Sequence, residues 1–244
     1  MGMSAREMTR LVFYPHQQAV VGMAGMAPMT APSHVPGWHA VDWASMIAMW
    51  WMMMVAMMVP SAAPAILLYA RVHHHASTRA GGRRGLAPTG AFAAGYLLVW
   101  LAFSLAAAIL HWTLEQSGVI SATMMDSRSR WLSTLVLIAV GLYQLTPLKN
   151  ACLSRCRAPQ AFFSGHWRPG KIGALRLGAM HGGFCVGCCW ALMVLLFVGG
   201  VMNLLWIAVL TCIVLIEKLA RRGAWIGRIG GLVLIGWGAA TFLH

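Results

Sequence analysis

The 244-residue chain has almost no acid: five Asp and Glu stand against eighteen Lys and Arg, and charged side chains make up only 9% of it. None of the five acids falls inside a long apolar run, so a carboxylate proton relay of the kind common in transporters is not expected. The Gly-Lys-Ser/Thr phosphate loop, H-E-x-x-H and G-x-S-x-G are all missing. Their absence removes the usual signatures of nucleotide-driven pumping, zinc proteolysis and serine hydrolysis, and no enzyme is expected. Long polar stretches are scarce as well. An apolar content of 59% and a mean hydropathy of +0.70 lie outside the soluble globular range. No uninterrupted apolar segment with a small-residue cleavage site precedes Met46, so no cleaved signal peptide is expected. A net charge of +13 would suit nucleic acid, but the basic residues sit between apolar runs rather than on one module. Membrane topology accounts for them better, and neither nucleic acid nor nucleotide is expected as a partner.

What is present is a series of apolar runs of membrane length. They cover about Trp43–Tyr69, Gly90–His111, Trp131–Thr146, Leu177–Val198, Met202–Ile216 and Ala224–Leu243. The expectation is an all-α, polytopic membrane helix bundle with about six transmembrane helices, in which residues 43–244 form one metal-binding domain. Residues 1–42, rich in Met and Pro, are expected to be a flexible periplasmic arm. With the N-terminus outside, fourteen of the eighteen basic residues fall in inner loops, leaving Arg6, Arg10, Arg128 and Arg130 outside. The positive-inside rule favours this orientation. It predicts a multi-pass membrane protein with both termini on the outer side and the lipid bilayer as a partner. The glycines of the last run are read as close helix packing.

The chemistry is concentrated in His181–Met193, H-G-G-F-C-V-G-C-C-W-A-L-M. A helix turns about 100° per residue, so with His181 at zero, Cys185 lies near about 40°, Cys188 near about 340° and Cys189 near about 80°. Four ligand-type side chains thus share one face. In the first run, seven methionines fall within Met46–Met58, and Met46, Met49, Met53 and Met57 form a stripe flanked by Met54 and Met58. Each alone reads as a core gap-filler; stacked, they would make a thioether ladder for a soft cation. Cys152 and Cys156 stand one helical turn apart and could chelate one soft ion. Topology would put that pair at the inner end of the third helix, and Cys185–Cys189 roughly 12–18 Å inside the fourth. Met23, Met26 and Met29 in the arm could capture the same ion, although Pro28, Pro32 and Pro36 forbid a continuous helix there.

Thiolate and imidazole suit both Cu(I) and Zn(II), and the accompanying thioethers favour Cu(I), because zinc sites rarely use them. Disulfides along one helix have poor geometry. The competing readings are a zinc-binding membrane protein, an accessory subunit of a membrane oxidase whose cysteines only pack, and a thiol redox relay.

Three segments carry a family resemblance: Met53–Pro64 (M-M-V-A-M-M-V-P-S-A-A-P), Tyr143–Pro159 (Y-Q-L-T-P-L-K-N-A-C-L-S-R-C-R-A-P) and His181–Met193. With G-G-V-M-N-L-L-W at Gly199–Trp206 and E-K-L at Glu217, they make the chain resemble the bacterial family of predicted metal-binding integral membrane proteins. A member of that family is associated with copper supply to a bacterial tyrosinase. The resemblance therefore implies a membrane copper chaperone of a bacterial inner membrane, its termini periplasmic, with a periplasmic or membrane cuproenzyme as partner. By motif matching, the implied metal ligands are Cys152, Cys156, His181, Cys185, Cys188 and Cys189, with Met53, Met54, Met57 and Met58 on the first helix. The chain departs from the family pattern before the Met-rich segment, where Leu11–Val21 is too short and polar to span.

Overall fold

The computed structural model describes residues 39–79, 87–118, 130–220 and 222–243. The arm with Met23, Met26 and Met29, and the loop with Met124 and Met125, lie outside the described residues. Every regular element among the described residues is a helix: α1 Ala40–Arg79, α2 Ala87–Gln116, α3 Arg130–Leu145, α4 Pro147–Arg157, α5 Pro159–His166, α6 Gly170–Val194, α7 Leu196–Gly199, α8 Leu204–Leu219 and α9 Gly223–Leu243. The all-α expectation holds. Four of them (α1, α2, α6 with α7, and α9) are long and apolar enough to cross a membrane, and the bent pair α3–α4 makes five if it is one span. The remaining run, α8, has 16 residues. At 1.5 Å per residue it covers about 24 Å, short of a hydrocarbon core of about 30 Å. Outward faces carry Leu98, Leu105, Ile109, Leu135, Leu142, Leu232 and Val233, as a lipid-facing surface requires.

The long helix α6 is the most buried of the crossing helices, and its largest interface is with α2. Glycine explains how close the two come. A Cβ on Gly178 would strike the Phe92 carbonyl group, with Phe92 C at 2.8 Å, and one on Gly95 would meet Ala179 N at 2.9 Å. The backbones therefore touch where side chains would hold them apart. The α3–α9 interface is built likewise, with a Cβ on Gly231 meeting Gly141 O at 2.8 Å and one on Gly238 meeting Ile138 Cγ1 at 2.8 Å. The packing role expected for the last glycine-rich run is borne out at Gly231 and Gly238, whereas Gly230 and Gly236 face open space.

Two local devices set the positions of the remaining helices. After Leu145 the chain bends by 63° into α4, where Pro147 occupies the first turn and Thr146 caps it, its hydroxyl accepting from Lys149 N at 3.3 Å. Proline is tolerated there because first-turn N–H groups have no intrahelical partner. At the far end of α6, Gly200 adopts φ 86°, a left-handed conformation that glycine accepts freely. Asn203 then caps α8 by accepting from Trp206 N at 3.1 Å, and Trp206 Nε1 donates back to Leu195 O at 2.9 Å. These bonds bring α8 back beside α6. In α1, Pro60 and Pro64 lie on the exposed side of a continuous helix, so their rings face away from the bundle.

Candidate metal centre

Four helices converge on the thiols of α6. Cys188 Sγ stands 3.9 Å from Cys156 Sγ of α4, and Cys189 Sγ stands 3.8 Å from Met58 Sδ of α1. Both α6 thiols also bond the Cys185 carbonyl, at 3.1 and 2.9 Å, which holds them over one turn. Cys185 Sγ itself meets the Tyr96 hydroxyl at 3.1 Å and Lys218 Nζ at 2.9 Å. Cys185, Cys188 and Cys189 are 2%, 2% and 1% exposed, and all six cysteines are free thiols.

The sulfur spacings bear on whether a metal fits. Two thiolates about 2.3 Å from a shared ion at the tetrahedral angle stand about 3.8 Å apart, which the two sulfur pairs match. His181 lies one turn before Cys185 and is buried among Phe92, Tyr96 and Phe162, with ring centroids 6.1, 6.1 and 6.2 Å away. Its Nδ1 is buried without a hydrogen-bond partner, an arrangement usually resolved by a bound group or water. Among the described residues no three His, Cys, Asp or Glu side chains are preset around one point. Any ion held here would draw on methionine sulfur and modest side-chain adjustment.

Of the ten residues named from sequence, the structure pairs Cys188 with Cys156 and Cys189 with Met58 at sulfur-contact distance, on the turn of α6 that begins at Cys185. Met54 and Met57 are buried with Met58 on the inward face of α1, which runs through Trp50, Ala62, Ala65 and Tyr69. Met46, Met49 and Met53 are only half-buried, so the buried face takes Met57 from the expected stripe together with the flanking Met54 and Met58. Cys152 packs on the α6 backbone: a Cβ on Gly187 would meet its Sγ at 2.9 Å. The depth expected for the Cys152/Cys156 pair is corrected. The bend at Thr146–Pro147 folds α4 against α6, so Cys156 sits at the level of Cys188 rather than a separate inner end. Cys212, on α8, is exposed.

Sequence reasoning missed a polar cluster. Glu217 and Lys218 directly follow the apolar run Met202–Ile216, where charge would mark a polar end, yet they are 2% and 8% exposed. Glu217 pairs with Lys149 Nζ at 2.7 Å and accepts from Gln144 Nε2 at 3.2 Å, while Lys149 also donates to Gln144 Oε1. Gly227 leaves room for the pair, since a Cβ there would meet Lys149 Nζ at 3.0 Å. The available signal was register: Leu210, Val214, Glu217 and Lys218 follow the spacing of one buried helix face.

The apolar helices and sulfur-lined interior define a membrane-associated protein of the metal-handling kind. The chain belongs to the copper chaperone family PpoB2, which matches residues 47–241. That match bears out the resemblance to a copper chaperone family. No curated protein and no solved structure matches it.

Proposed function

We propose that the protein binds Cu(I) as cargo in the membrane and passes it to a cuproenzyme. The observation that carries this is the pairing of Cys188 with Cys156 and of Cys189 with Met58, sulfur donors from three helices that meet along one turn of α6. Thiolate and thioether are the ligands that select Cu(I) among biological metals. Cys185 and His181 would complete the donor set, with Met54 and Met57 as an approach along α1 and Cys152 as an outer thiol. Zn(II) is the weaker candidate, because it makes little use of thioether. The distribution of basic residues supports an inner-membrane orientation with both termini periplasmic, and α8 would then be a short fifth span of six.

Anaerobic purification followed by elemental analysis tests the reading. Wild-type protein should carry copper at or above a stoichiometric level, and Cys156→Ser, Cys188→Ser and Cys189→Ser together should lose it. Full copper in that triple variant would refute the site. Unchanged stability on adding a Cu(I) chelator, together with metal-free wild-type protein, would favour an accessory subunit with packing cysteines.

A further inference from the structure

Lys218 contributes no ligand to the proposed site, yet its ammonium sits among the donors. Nζ lies 2.9 Å from Cys185 Sγ, 3.1 Å from Ser61 Oγ and 3.9 Å from Met58 Sδ. Three N–H groups thus meet three acceptors. A buried ammonium needs negative charge nearby, since desolvation otherwise makes it costly. The adjoining carboxylate is committed elsewhere. Glu217 points about 100° away around α8 and is held by Lys149 and Gln144, in the only salt bridge among the described residues. What remains to offset the charge is sulfur: Cys185 is in contact, and its Sγ is met on another side by the Tyr96 hydroxyl. A cation is therefore already seated in a nest of soft donors.

We propose that Lys218 is a resident counter-cation, its ammonium filling the space among Cys185, Met58 and Ser61 that Cu(I) takes on loading. This rests on the copper reading above. Two positive charges cannot share those donors at such range, so the ammonium swings aside when the ion arrives and returns when it leaves. The four-carbon stem permits this without moving a helix. Leu219 ends α8 one residue later, so the displaced ammonium can reach toward the polar end of the bundle. In both forms one cation then faces Cys185 as its thiolate. Copper is held less tightly than three buried thiols alone would hold it, which suits a carrier that must release its cargo.

The test is an anaerobic competition titration of the full chain in detergent against a chromophoric Cu(I) chelator. Lys218→Met and Lys218→Gln should each bind Cu(I) at least about tenfold more tightly, about 1.4 kcal/mol, while Lys218→Arg, which keeps the charge, should stay near wild type. Equal or weaker binding in both neutral variants would overturn the proposal while leaving the copper reading intact. A wild-type chain that took up no Cu(I) would overturn both. A second measurement needs no variant: amine acylation read by mass spectrometry should find Lys218 protected in the copper-free protein and reactive after loading. Identical protection in the two states would overturn the exchange.

Discussion

Replacing Glu217 by Leu should be among the most damaging single changes in the protein, and changing Lys149 to Met as well should repair most of the damage. The two side chains meet at 2.7 Å with 1% and 3% of their surface exposed, so solvent screening hardly weakens the interaction. Removing one partner leaves the other charged and buried, which costs about 3–5 kcal/mol. Gln144 can only partly compensate, because its amide already serves both partners. Removing both charges leaves an apolar contact between α4 and α8, and such exchanges are often close to neutral. The expected coupling in a double-mutant cycle is therefore at least about 2 kcal/mol. Equilibrium unfolding in mixed detergent, followed by far-ultraviolet circular dichroism, measures all four proteins. Additive losses, with the double variant worse than either single one, would show that the pair is not buried as described and refute the reasoning.

Three further outcomes follow from the packing. Gly178→Ala forces a methyl into the Phe92 carbonyl; overpacking of this kind costs about 1–3 kcal/mol, and thermal denaturation should show it, whereas Gly230→Ala, facing open space, should change little. Met58→Leu conserves volume and should cost less than about 1.5 kcal/mol in stability, yet it removes the sulfur beside Cys189 and should weaken Cu(I) binding in the chelator titration. Cys212→Ser alters an exposed thiol and should leave copper content at the wild-type level.

Much of the site could be read from residue spacing, because a helix converts sequence separation into angle. That rule put Cys185, Cys188 and Cys189 on one side of α6, and all three are buried there. It worked less well for α1. The methionines are so dense that several stripes satisfy the same count, and packing chose the face of Met54, Met57 and Met58 over that of Met46, Met49 and Met53. Glu217 and Lys218 were misjudged for a different reason. Charge at the end of an apolar run usually marks the water boundary, and only a partner from another helix reverses that. Lys149 and Cys185 are those partners, respectively 68 and 33 residues distant in the chain.

The amino-acid sequence by itself determined that this chain is helical, membrane-associated and furnished with soft ligands, since composition and period are local properties. Which sulfurs meet was decided only by tertiary structure. The bend at Thr146–Pro147, the glycine contacts between α2 and α6, and the return of α8 from Gly200 set where the helices cross. Periodicity states which way a side chain points from its own axis. What stands opposite depends on how close neighbouring backbones come, and that bend and those glycines bring Cys156, Met58 and Lys218 to the same three thiols.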